Sequence, residues 1–265
     1  MGKIYYNKSL GQHFIYDRVV LGKIIGAATQ TKGKHIVEIG PGIGTLTKEI
    51  LATDPSLLTS IEKDQRFEKE HLSLERQYEN YQFIIGDALS IPLERVYKGE
   101  KVIIIANLPY NIATRLLLNW LEESNLIQEM ILMFQKEVAD RICAEPRNKN
   151  YGALSVLIQI RCKLEPQFIL QPEVFTPPPK ILSSVLKITP LEIPKWQYKK
   201  IRLDTILRHG FAHRRKTMNT TLQGIFGGQK QLHVALESIG ANPSMRIEEL
   251  TPGQICALSL YDQTI

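Results

Sequence analysis

The stretch His35-Ile36-Val37-Glu38-Ile39-Gly40-Pro41-Gly42-Ile43-Gly44, followed at once by Thr45-Leu46-Thr47-Lys48-Glu49-Ile50-Leu51-Ala52, decides the fold. Its first part is a short apolar run rich in β-branched residues, which reads as a buried strand over 35–40. Its last part carries apolar residues at helical spacing over 45–52. Between them the glycines at 40, 42 and 44 let the backbone turn sharply and approach a ligand closely, although the same glycines would also serve strand-to-helix packing alone.

The pattern repeats outward. Short apolar runs recur at 57–61, 83–85, 102–106 and 130–134, with longer amphipathic stretches at 64–78 and 112–122. Strands alternating with helices predict βαβ units winding a mostly parallel sheet. A further apolar run at 153–162 and a strand candidate at 184–188, with an extended Pro-rich piece over 171–180 between them, are expected to complete the sheet at one edge. The composition then changes at Thr189-Pro190-Leu191-Glu192-Ile193-Pro194, whose prolines deter helix and mark a linker. This predicts one domain over 1–189 and a second over 195–265. The second carries helical patterns at 197–212, 216–225, 229–239 and 251–262, so a small all-α domain is expected there.

Composition narrows the function. The 265 residues suffice for two domains, and 43% hydrophobic content with two Trp, eight Phe and ten Tyr excludes a disordered chain. No uncharged apolar run reaches the roughly 18 residues of a membrane span. The first residues have no apolar signal-peptide core, so a cytoplasmic address is expected. Cys143, Cys162 and Cys256 are far apart and form no C-x-x-C pair, which argues against a disulfide framework and a zinc site and leaves them as buried thiols. The formal charge of +6 is local: eight Lys or Arg lie between Lys195 and Lys216 against the single acid Asp204. That segment carries +7 and the rest of the chain about −1, as expected of a face that meets a polyanion.

Three strand ends carry candidate ligand-binding residues. The pattern E-x-G-x-G-x-G over 38–44 departs from the dinucleotide fingerprint in spacing and in its leading acid, and is the form seen in S-adenosylmethionine binders. Glu62 lies 18 residues beyond Gly44, close to the separation at which a nucleotide-binding sheet presents an acid to ribose hydroxyls. A surface acid paired with Lys63 is the alternative. Gly86-Asp87-Ala88 ends the third strand, where Asp87 could accept from an adenine amino group or simply cap a turn. The fourth strand runs into Asn107-Leu108-Pro109-Tyr110, similar to the [DNS]-P-P-[YFW] motifs of amino-methyltransferases. Its physics suits an exocyclic amine. The Asn107 side-chain oxygen and the Leu108 carbonyl can accept both amine hydrogens, Pro109 stiffens the turn, and the Tyr110 ring can stack on a flipped-out base. Such chemistry needs no covalent enzyme intermediate and no metal.

With Gly11-Gln12-His13-Phe14-Ile15 added to the glycine loop and Asn107–Tyr110, the chain resembles the ribosomal RNA adenine dimethyltransferase family, bacterial KsgA type. Strings at 134–141, 151–155, 175–180 and 211–217 match in order, so the resemblance covers the chain from about Lys8 to its end. It implies a Rossmann-like class I S-adenosylmethionine-dependent methyltransferase sheet with a small helical C-terminal domain. It also implies cofactor contacts at His13, Ile15, Gly40, Glu62, Asp87 and Asn107, with Gly42 in the same loop. His13 and Ile15 stand where Asn and Leu are commonest in the family. The resemblance further implies dimethylation of two neighbouring adenosines near the 3′ end of small-subunit ribosomal RNA. The expected partners are that RNA and the assembling 30S subunit, met by a monomer, with neither a membrane nor a metal. Phe175 is expected to support the target base. Arg214, Arg215 and Lys216 are expected to contact RNA phosphates, a solvated helix face being their alternative. The rival functions are an Erm-type methylase of large-subunit RNA and a non-catalytic assembly factor, and the intact Asn107–Tyr110 motif disfavours the latter.

Overall fold

A computed structural model describes residues 11–261. The resemblance near Lys8 and the last position of the 251–262 helical pattern lie outside them. The chain divides into two compact units, Met1–Ala139 with Lys163–Pro190, and Asp140–Cys162 with Leu191–Ile265.

The first unit holds β1 (Phe14–Ile15), α1 (Arg18–Gly26), β2 (His35–Ile39), α2 (Thr45–Leu51), β3 (Leu57–Glu62), α3 (Glu68–Gln77) and β4 (Tyr81–Ile85). It continues with β5 (Val102–Ala106), α4 (Tyr110–Glu122) and β6 (Ile127–Gln135), after which α5 (Lys136–Ile142) begins. Its strands form a seven-stranded sheet in the order β4-β3-β2-β5-β6-β9-β7, where β7 is Cys162–Leu170 and β9 is Ser183–Pro190. The pairs from β4 to β6 are parallel, while β9 runs antiparallel to β6. Each of the five residues of β2 and of β5 is buried, as a parallel strand covered on both faces requires. Leu21, Ile24 and Ile25 of α1 and Leu46, Ile50 and Leu51 of α2 share one core cluster with Ile36, Leu58, Ile103 and Ile105 of the sheet. Residues 113, 116, 117, 120 and 121 of α4 are buried, the three-and-four spacing of one helical stripe. The order reverses between β3 and β5 around β2, and an open α/β sheet binds ligands outside the carboxyl ends of its strands at such a reversal. A separate two-stranded ribbon pairs β1 with β8 (Phe175–Thr176), antiparallel, with Phe14 opposite Thr176.

The second unit contains α6 (Ala153–Arg161), α7 (Lys200–Ala212), α8 (Met218–Leu222), α9 (Gln229–Ser238) and α10 (Pro252–Leu260). Tyr151, Val156 and Ile160 join Leu203, Ile206, Leu207, Met218, Phe226, Leu232 and Ile255 in its core. The helices have ordinary punctuation: Thr251 accepts from the Gln254 amide at the start of α10, and Pro252 follows in the first turn.

Two expectations change here. The run at 153–162 is a helix, not a strand, and it packs in the second unit although the proline boundary near residue 190 assigned it to the first domain. Leu154, Ser155, Val156, Ile158 and Ile160 are all buried, so a helix covered on several sides imitates the apolar density of a strand. Its start is set by the Gly152 amide, which donates to Ser155 Oγ at 3.0 Å. The actual strand β7 follows directly and contains Pro166, which an edge strand tolerates. The Tyr151 hydroxyl donates to the Leu250 carbonyl at 3.0 Å inside this core. Tyr151→Phe strands that carbonyl, and urea unfolding is expected to show a loss of about 1–2 kcal/mol.

Candidate active site

The carboxyl ends of β2, β3, β4 and β5 meet around a cavity of about 360 Å³ lined by residues 11–15, Glu38, Gly40, Gly42, Glu62, Asp87 and Asn107–Tyr110, among others. The glycine loop forms its floor in a conformation that side chains resist: φ is +68° at Gly40, +55° at Gly42 and +78° at Gly44. Gly42 is held from three directions. Its amide donates to Glu62 Oε2 at 2.9 Å, its carbonyl accepts from His71 Nε2 at 2.8 Å, and a Cβ placed on it would fall 2.2 Å from Phe14 Cε1. Burial lowers the His71 pKa and keeps the ring neutral, so Nδ1 is left to accept from the Tyr81 hydroxyl at 2.6 Å.

Glu62 is buried, and its carboxylate accepts the Gly42 amide at Oε2 and the Asp64 amide at Oε1, with the Lys63 amide adding a weaker contact. Acceptor capacity remains for a hydroxyl. Burial pushes the Glu62 carboxyl upward. The pairing with Lys63 that sequence left open does not occur, because Lys63 Nζ lies 2.8 Å from Asp87 Oδ2. Asp87 also accepts from the Leu89 amide at 2.9 Å, so it is both an ion-pair partner and a turn residue, and the Lys63 hydrogen bond holds its carboxyl below the usual range. Glu38, 1% exposed, accepts from Thr47 Oγ1 and Ser60 Oγ through Oε2 alone. Its Oε1 has no hydrogen-bond partner among the described residues, and burial pushes the carboxyl up to about 7.

At the end of β5 the amide of Asn107 is oriented by its neighbour: Nδ2 donates to the His13 carbonyl at 2.7 Å, which leaves Oδ1 as an acceptor. Leu108 is buried, and Pro109 caps α4 with φ −56°. The Tyr110 hydroxyl is 2.6 Å from Ser183 Oγ, and the His13 ring stacks on the Tyr110 ring at 5.7 Å between centroids and 27° between planes. His13 is itself fixed, because Nδ1 donates to the Pro177 carbonyl at 2.7 Å. Its contribution is therefore a carbonyl that aligns Asn107 and a ring that backs Tyr110. Ile15 is buried beside it and lines the cavity.

Two assigned residues are engaged inside the chain. Phe175 is 2% exposed, packs in the sheet core and meets the His13 ring edge-on at 6.4 Å. Arg214 is engaged within the second unit, donating to the Glu248 carboxylate and through Nη1 to the Lys149 carbonyl at 2.6 Å. Arg215 and Lys216 are exposed. Sequence reasoning also missed the packing of Phe14 on Gly42, the Ser183 partner of Tyr110, and a clamp in which Asp64 accepts from Gln12 Nε2 at 2.7 Å and from Arg66 Nε at 2.9 Å. Only Gln12 and Phe14 lay within a motif singled out, and nothing in the spacing of the others marks their partners.

Comparison with known proteins identifies the family. The family model for ribosomal RNA adenine dimethylase matches residues 4–263. The chain is 61% identical over 254 residues to ribosomal RNA small subunit methyltransferase A of Neorickettsia sennetsu, covering 96% of this chain and 97% of that one. It is 39% identical to the protein of the same name from Ehrlichia chaffeensis, covering 98% and 97%. Among solved structures, a dimethyladenosine transferase from Plasmodium falciparum superposes with a TM-score of 0.78 at 25% identity, covering 93% of this chain and 96% of that chain. The 23S rRNA methyltransferase ErmE shares the fold with a TM-score of 0.71 at 22% identity, covering 92% and 97%.

Gly42→Val places a branched side chain against Phe14 at a positive φ. The variant is expected to lose detectable S-adenosylmethionine binding in calorimetry while circular dichroism stays native, and parental affinity in a folded variant moves the cofactor away from this loop.

Proposed function

The chain belongs to the ribosomal RNA adenine dimethylase family and is an rRNA methyltransferase, and we propose that it dimethylates N6 of two adjacent adenosines near the 3′ end of small-subunit ribosomal RNA. S-adenosylmethionine is the proposed methyl donor, the assembling 30S subunit the proposed partner and the cytoplasm the proposed location, with the enzyme acting as a monomer.

The observation that carries this reading is the oriented Asn107 amide: with Nδ2 given to the His13 carbonyl, Oδ1 can only accept, as an amine substrate requires. When bound, the cofactor supplies an electrophilic methyl on a sulfonium. The chain fits such a ligand, since the partnerless Glu38 Oε1 and the Glu62 carboxylate line one cavity and both favour a cation. Glu62 has acceptor capacity left for ribose hydroxyls. Asn107 Oδ1 and the Leu108 carbonyl accept the two hydrogens of the adenine amine and so draw its lone pair out of conjugation toward the methyl. Tyr110, braced by Ser183 and His13, provides the stacking face for the base. These acceptors strengthen as positive charge develops on the nitrogen, which makes their contribution largest in the transition state.

The test is transfer of labelled methyl into unmethylated small subunits and into large subunits. Label confined to the small subunit and recovered as dimethyladenosine supports the reading, while label in the large subunit replaces it with the Erm-type activity. Asn107→Ala is expected to lower kcat by a factor on the order of 10² while leaving RNA binding near parental. Tyr110→Ala should cost about 1–3 kcal/mol of base stacking, read in single-turnover rates.

The exposed pair Arg215 and Lys216 is proposed to contact RNA phosphates. Neutralising both should reduce the slope of log affinity against log salt by roughly 0.7–0.9 per contact. Arg214→Ala should instead act on stability, by about 1–2 kcal/mol, because it deprives Glu248 and the Lys149 carbonyl of their donor. A parental salt slope in the double variant would leave these two cations as a solvated face.

A further inference from the structure

One cation in the cavity has no part in the chemistry described above. Arg115 lines the cavity from α4, four residues beyond Asn111, which lines it too, so the two share a helical face. The residue is exposed. No hydrogen bond or ion pair joins it to another described residue. The acid nearest in effect, Asp87, already has Lys63 as its direct partner, and the field of Arg115 adds only weakly to it.

Glu38, Glu62 and Asp87 make the cavity attractive to a sulfonium, and a guanidinium on the same wall opposes that centre. Two anions can meet Arg115, the cofactor's own carboxylate and a phosphate that arrives with the substrate, and the exposed position of Arg115 favours the second. A nucleoside whose base stacks on Tyr110 must leave its flanking phosphates at the mouth, because the polyanionic backbone continues outside the cavity. The planar fork of an arginine matches two phosphate oxygens. We propose that Arg115 binds a backbone phosphate adjoining the target adenosine, holding the nucleotide at the rim while its base lies against Tyr110. This rests on reading the site as an adenosine methyltransferase.

The experiment compares the parental protein with Arg115→Ala and Arg115→Lys, using a small-subunit RNA hairpin with two adjacent adenosines as the binding probe. Arg115→Ala should weaken hairpin binding by about tenfold and lower the log–log salt slope by roughly 0.7–0.9. Arg115→Lys should restore the slope but only part of the affinity, since an ammonium keeps the charge and loses the fork. With unmethylated small subunits, KM for the subunit should rise while kcat stays near parental, and calorimetric affinity for S-adenosylmethionine should not change. Parental hairpin affinity and slope in Arg115→Ala overturn the proposal, as does lost cofactor affinity with unchanged RNA binding, which would make Arg115 a support for Asp87. Because hairpin binding is read without turnover, a parental protein that binds RNA but transfers no methyl would refute the proposed function and still report on Arg115.

Discussion

The site depends on the restraint of one peptide unit, Gly42. Its amide is fixed by Glu62, its carbonyl by His71, and the space where a side chain would stand is filled by the Phe14 ring. Each restraint comes from a different element: the end of β3, the helix α3 and the ribbon strand β1. The glycine loop is thus a junction whose shape is set by buried groups. A buried carboxylate with an unmatched amide opposite it, or an imidazole without its carbonyl, would cost on the order of 1–3 kcal/mol, so the three contacts hold or fail together.

That junction also explains an unusual concentration of acid. Glu38 and Glu62 are both buried and both raised chiefly by burial; the charge of Glu62 raises Glu38 further, and that of Asp64 raises Glu62. Hydroxyls from Thr47 and Ser60 and amides from Gly42 and Asp64 offset part of the desolvation, yet Glu38 Oε1 is still without a partner. A cationic ligand favours the charged form of both groups. Burial pushes the Glu38 carboxyl up to about 7, and a cation beside it would draw it back toward the charged form.

Much of this was legible in the sequence, and the reason differs from one part to another. Strands at the sheet centre, such as Val102–Ala106, are covered on both faces, so their apolar runs are continuous and the chemistry-bearing residues follow directly at their ends. The run at 153–162 was misread because a helix buried on several sides has the same apolar density, and the strand after it was hidden by Pro166 and its charged neighbours on an exposed edge. Charge clustering has the same ambiguity. Arg214 and Arg215 are adjacent in sequence, but one is consumed by Glu248 and a backbone carbonyl while the other faces solvent, and only tertiary contacts separate them. Phe175 illustrates the same limit, since an aromatic before three prolines gives no sign of whether it is buried.

The most consequential contact was also the least visible. Asn107 and His13 are 94 positions apart, and the bond between them runs from a side chain to a backbone carbonyl, so no side-chain identity at position 13 announces it. The same segment that carries this carbonyl brings Phe14 against Gly42 and sets the His13 ring on Tyr110. One segment of residues 13–14 therefore shapes the glycine loop, orients the Asn107 amide and backs the Tyr110 ring. Displacing it would disturb all three at once, which couples the shape of the glycine loop to the alignment of Asn107.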